Sequence, residues 1–231
     1  MREEKPKDWA FKKTHDPVAR IEESRSLFSR IALDTVKLFK VDAASRTWAL
    51  LCNDQPEEVA DFIFIDAAPD QRRLEFVHVK KAGGSKAKKD RVEKHEREIA
   101  VGNYEEVVPQ AIKNLRHIDL NLLEKRFDRS SGDKIGIFMV QSDGEKPVLS
   151  AETTSFLSIF ADLKAQGPPL RPKVVCYSPH VQERVWDREQ KKLDEKGKAS
   201  RAALMLSMLL LSAQADCARV NADFEVWSEG A

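Results

Sequence analysis

The chain has 231 residues, 42% of them apolar, and a formal net charge of +1. That apolar content supplies a sizeable core and excludes a disordered or fibrous chain. The near-balanced charge excludes a polycation, so any contact with nucleic acid has to come from local concentrations of Lys and Arg.

Residues 1–16 are charged and have no apolar run behind their basic residues, so they read as an arm rather than a signal peptide. Residues 17–40 follow as a helix. Ile21, Leu27, Phe28, Ile31, Val36 and Leu38 recur at helical spacing, and Asp16-Pro17 suits an N-cap and first turn. Residues 47–52, 59–66 and 74–80 read as three strands, with turn residues at Asn53-Asp54 and Pro69-Asp70. Connections this short imply an antiparallel meander. Residues 82–97 form a polar, lysine-rich loop. Helices are expected at 104–115, 120–127, 151–164, 181–196 and 200–215, and strands at 134–141, 173–177 and 223–227. The apolar stretch 202–213 is far shorter than the roughly 20 residues that span a bilayer and reads as a buried helix. The class is α/β, with the later strands adding to the same sheet.

Cys52, Cys176 and Cys217 lie far apart and form no CxxC pair, which argues against a disulfide framework and a zinc cluster. Scattered reduced thiols fit a cytoplasmic protein. His15, His95, His117 and His180 show no metal spacing with one another. The chain carries no GxxxxGK[ST] loop, no GxSxG and no recognisable cysteine nucleophile context.

The chemistry-bearing residues gather around the third strand. Alternation puts Phe76, His78 and Lys80 on one face and Glu75, Val77 and Val79 on the other. An imidazole next to an ammonium is costly to bury charged, so the pair is easier to explain as a site than as core. Asp61 opens the second strand, and in a meander the start of one strand lies near the end of the next. A carboxylate, an imidazole and an ammonium at one end of a sheet suit metal-assisted hydrolysis. Glu58 and Asp66 read as solvated turn residues.

The order Asp61, hairpin, His78-Val79-Lys80 and helix resembles the PD-(D/E)XK, or restriction-endonuclease-like, nuclease superfamily. The resemblance covers residues 17–141 in the order helix, three strands, helix, strand. It implies a core over about 17–142 with a C-terminal α/β extension at about 143–231, all within one domain, 17–231. It is nearer to a branch found with bacterial defence helicases, through residues 57–66, 77–80 and the stretch Tyr104-Glu105-Glu106-Val107-Val108-Pro109-Gln110-Ala111-Ile112-Lys113. The resemblance implies a catalytic set of Asp61, His78, Lys80 and Gln110, with Asp61 and His78 holding Mg²⁺ or Mn²⁺. His78 stands where the superfamily usually has Asp or Glu, and a softer ligand favours Mn²⁺. A first-helix glutamate completes the site in some members; Glu22 and Glu23 are both left open here.

Lys81, Lys86, Lys88, Lys89 and Arg91 follow the triplet and are the expected contacts to a phosphate backbone. The expected function is metal-dependent cleavage of DNA by an endonuclease effector of anti-phage defence, working beside a helicase or sensor partner, with oligomeric state left open. The alternatives are a nucleic-acid-binding or assembly subunit with a weakened site, which His78 keeps open, and an RNA-cleaving effector on the same fold.

Overall fold

In a computed structural model of the chain, residues 21, 26–54, 58–80, 99, 101–128, 135–167, 169–178 and 183–228 are described. They form an α/β fold whose mixed sheet has 7 strands flanked by helices. In chain order the elements are α1 (Leu27–Leu33), α2 (Thr35–Phe39), β1 (Trp48–Cys52), β2 (Phe62–Asp66), β3 (Arg73–Val79), α3 (Val101–Lys113), a 3-10 turn (Leu115–Ile118), α4 (Leu120–Asp128), β4 (Phe138–Ser142), β5 (Pro147–Ser150), α5 (Phe156–Ala165), β6 (Lys173–Tyr177), α6 (Glu183–Lys196), α7 (Arg201–Arg219) and β7 (Asp223–Trp227). The strand order is β5-β4-β1-β2-β3-β6-β7. The chain divides into two units, residues 1–77 with 116–173, and residues 78–115 with 174–231.

In the first unit, β1, β2 and β3 form the expected antiparallel meander. Cys52 pairs with Phe62 at one end of β1, and Phe62 pairs with Val77 across β2 and β3. Both faces are covered, which is why the strands read as unbroken apolar runs. Ala49, Leu51, Ile63, Ile65, Leu74 and Phe76 meet Phe156, Phe160 and Leu163 of α5 and Leu123 and Phe127 of α4. Phe127 meets Phe156 and Phe160 edge to face at 5.7 and 5.5 Å. On the opposite face Phe28 of α1 packs on Phe62, and Phe39 of α2 stacks on Phe64 at 4.2 Å.

Two expectations are corrected here. The first helix is not continuous from 17 to 40: it breaks at Asp34, where the Thr35 hydroxyl bonds the Ile31 and Ala32 carbonyls and competes with the helical ladder. In the first unit α5 covers one face of the meander, because Phe156, Phe160 and Leu163 fall on one helical face; in the second unit α3 packs on α7. The stretch 202–213 is not buried all round. Ala203, Leu206, Ala213 and Cys217 are buried, but Leu204, Met205, Met208 and Leu211 are exposed.

In the second unit, α6 is tied to the start of α7 by one carboxylate. Glu189 accepts from Lys192 Nζ and from the backbone N–H of Ser200, whose own hydroxyl caps Ala203 N–H. The Lys192 hydrogen bond, then the Ser200 amide, lower the Glu189 pKa to about 2. A carboxyl whose folded pKa is depressed contributes stability that is complete above its unfolded value and is lost as pH falls through the folded one. Acid destabilisation between about pH 4.5 and about pH 2 is therefore expected to be shallower in Glu189→Gln. Urea midpoints measured across that window, wild type against variant, check this.

Candidate metal centre

The site is built on the connection between β1 and β2. Beyond the Cys52–Phe62 pair, Asn53 N–H donates to the Asp61 carbonyl at 2.9 Å. The Asn53 side chain then braces the connection from inside. Its Nδ2 donates to the Ile135 carbonyl at 2.9 Å, and its Oδ1 accepts from Val59 N–H at 3.1 Å. Ile135 N–H is held by the Thr153 hydroxyl, and Ile137 N–H by the Cys52 carbonyl. Between those two isoleucines, Gly136 passes so close to β1 that a Cβ there would stand 2.5 Å from Cys52 O and 2.5 Å from Leu51 Cδ1. The approach of this segment to β1 thus depends on glycine.

This framework gathers Asp54, Glu58 and Asp61. One carboxylate oxygen from each lies within 4.8 Å of the others. Asp54 and Asp61 are buried and Glu58 is half-buried. Glu58 is therefore not the solvated turn residue expected from the sequence: it is half-buried, and its carboxylate meets those of Asp54 and Asp61. Asp66, given the same reading, is also buried. It accepts from the Thr47 hydroxyl at 2.7 Å and from Ala68 N–H at 3.0 Å, a structural role in the turn.

Carboxylates this close repel one another, and burial raises the cost; a divalent cation offsets both. The donor set is all oxygen, which suits a hard ion. Opposed ligands stand about 4.2 Å apart around Mg²⁺ and about 4.6–5.2 Å apart around Ca²⁺, so a spread of up to 4.8 Å fits a single hard cation with slight closure for Mg²⁺. Cys52 lies next to the acids but stands outside their cluster of ligand atoms. Burial pushes its thiol well above the usual range; a backbone hydrogen bond at Asp54 opposes this, and the charges of Asp54, Asp61 and Glu58 raise it further.

His78 and Lys80 belong to the second unit, at and just beyond the end of β3. His78 is buried, and burial lowers its pKa to about 4, so the imidazole is neutral at pH 7. Lys80 N–H donates to the Tyr177 carbonyl at 3.0 Å, and its ammonium is 2.5 Å from Glu106 Oε2 on α3. Gln110 is exposed on the same helix, one turn beyond Glu106. Asp61 immediately precedes Phe62, and His78 immediately follows its partner Val77. Glu22, Glu23, Lys81, Lys86, Lys88, Lys89 and Arg91 lie outside the described residues, as does the arm at 1–16. Sequence patterning alone does not single out Asp54, Glu58 or Glu106. For Asp54 and Glu58 the available signal is their spacing to Asp61 around the asparagine that ties the connection.

Set against protein-family models, curated proteins and solved structures, the chain finds no match in any of the three. Among the described residues no helix is long and apolar enough to cross a membrane.

Proposed function

We propose that the chain is a divalent-metal-dependent phosphodiesterase acting on DNA, of the restriction-endonuclease-like kind. The observation that carries this reading is the convergence of Asp54, Glu58 and Asp61 on the connection that leads into β2. These three acids would hold Mg²⁺ or Mn²⁺. When bound, such an ion activates water and offsets phosphoryl charge. Asn53 keeps the acids converged by bracing their connection through Val59 N–H and the Asp61 carbonyl.

The resemblance assigns His78, Lys80 and Gln110 to the same chemistry. A neutral His78 has a ring nitrogen available as ligand or proton acceptor. Lys80 supplies an ammonium suited to the extra charge of a pentavalent phosphorus, and the Glu106 contact orients it. Roles in anti-phage defence and beside a helicase or sensor rest on the resemblance, and a cytoplasmic location on three buried cysteines outside any disulfide.

The test is cleavage of supercoiled and linear DNA, with matched RNA, in Mg²⁺, Mn²⁺ or chelator. Wild type is expected to cut DNA with either metal, and Lys80→Ala to lose turnover while still binding DNA. Equal cleavage by both proteins would overturn the assignment of Lys80, and cleavage of RNA alone would overturn the substrate class. Neutralising Lys86, Lys88 and Lys89 together is expected to weaken DNA binding and to flatten its salt dependence. The log–log slope should fall by about 0.9 for each phosphate that the variant no longer neutralises. Binding titrations over a salt series read that slope directly.

A further inference from the structure

Three elements of the second unit line a shared groove. Trp186 and Gln190 stand at i and i+4 on α6, Ser207 and Gln214 at i and i+7 on α7, and Phe224 and Val226 at i and i+2 on β7. Helical and strand periodicity place each pair on one face of its element, so the six side chains converge on one recess. Two leucines of α7 complete the lining. The groove holds about 300 Å³, the low end for small-molecule clefts, which suits a ligand of one or two rings.

The polar groups of the lining are partly committed. The Ser207 hydroxyl donates to the Ala203 carbonyl at 2.9 Å, so its oxygen is the acceptor for Gln190 Nε2, a long bond of 3.5 Å. That bond sets which end of the Gln190 carboxamide faces Ser207. A carboxamide carries two N–H donors and a carbonyl acceptor, so Gln190 keeps a donor and its acceptor for a ligand. Gln214, which is exposed, brings a second carboxamide.

We propose that this groove binds a nucleobase, stacked on the aromatic lining and hydrogen-bonded at its edge by Gln190 and Gln214. Three properties of the lining narrow the ligand to that class. No lining side chain is charged, so an ionic group would lose its hydration without a counter-charge. Trp186 and Phe224 offer aromatic faces, on which bases stack whatever their sequence. Two carboxamides and a hydroxyl exclude a plain hydrocarbon, which would cover those polar groups and leave them unsatisfied. A flat, neutral ring with donors and acceptors on its edge meets all three conditions, and glutamine carboxamides pair with such edges. The base can belong to a free nucleoside or to an unpaired nucleotide in a strand. The metal centre is in the first unit and the groove in the second, so the groove stands or falls without the nuclease reading.

The experiment is a titration of the full chain in chelator, followed by the indole N–H signals in nitrogen–proton correlation spectra. The chain has four tryptophans, and Trp186→Phe identifies the signal of Trp186. Trp48 is fully buried and serves as the internal reference. Adenosine is expected to move the Trp186 signal, and not that of Trp48, with a Kd of about 0.1–1 mM. Gln190→Leu/Gln214→Leu is expected to weaken this binding by about 10-fold or more, with circular dichroism checking its fold. The remaining arms use wild type alone. A shift with adenosine and none with a single-stranded oligonucleotide assigns the groove to a free nucleoside; a shift with the oligonucleotide assigns it to an unpaired base in a strand. Methyl glucoside and cyclohexanol are expected to leave Trp186 unmoved. The proposal is overturned if neither adenosine up to about 5 mM nor the oligonucleotide moves Trp186, if methyl glucoside or cyclohexanol moves it as much as adenosine does, or if the folded double variant binds adenosine as well as wild type.

Discussion

Asp61→Ala is expected to lower affinity for Mg²⁺ and Mn²⁺ by at least about 100-fold and to reduce metal-dependent cleavage to the level seen in chelator. Loss of a residue that only orients a metal ligand costs about 10–100-fold, so loss of a ligand itself at least reaches the upper end. The same change leaves the protein folded, because the Asp61 carbonyl, not its carboxylate, accepts the Asn53 N–H that extends the β1–β2 ladder. It also removes one of the charges that raise the Cys52 thiol. Calorimetric titration of each metal into wild type and variant measures the affinities, and circular dichroism of both checks the fold. An unchanged metal affinity would remove Asp61 from the ligand set and leave the proposed chemistry without its anchor.

The largest structural effect is expected at Gly136. Gly136→Ala puts a methyl group against the Cys52 carbonyl, which is backbone and already accepts Ile137 N–H, and against the Leu51 side chain in the core. Neither neighbour gives way cheaply, so the expected loss is about 1–3 kcal/mol, or about 2–12 °C in melting temperature for a chain of this size. The displacement passes to the site through Ile135, whose carbonyl holds the Asn53 side chain, so metal affinity falls with stability. Gly102→Ala is the matched control. It lies in the first turn of α3, with no atom nearer than 4.0 Å to an added Cβ, and is expected to be neutral or stabilising. Thermal melts of the two variants should therefore move in different directions or by very different amounts.

How far the site is legible in the sequence depends on whether a residue's role is set locally. The meander is legible because apolar runs bounded by turn residues specify strands, and the runs at β1, β2 and β3 are covered on both faces. The start of β2 is not: Val59 and Ala60 are as buried as the strand itself but lie outside the ladder, which begins at Phe62. Asp61 stands out by its place ahead of an apolar run. Asp54 and Glu58 do not, because turn chemistry explains acids in such positions without a site, and their convergence depends on side-chain bonds from Asn53 that reach as far along the chain as Ile135. The β4–β5 hairpin is absent from the expected elements although Asp143-Gly144 is a hairpin signal; Asp143 Oδ1 accepts from Glu145 and Lys146 N–H there. For α7, composition suggests burial, but a helix apolar on two faces gives no sign of which face the fold covers.

The three cysteines give the molecule a built-in clock. Each is buried, Cys52 in the first unit and Cys176 and Cys217 in the second. Alkylation proceeds through the thiolate, and burial drives Cys217 up to about 11 and Cys52 higher than its ordinary value. Modification therefore waits for the surrounding structure to open. The order in which these positions acquire label separates a chain that opens as one body from one whose two units open at their own rates.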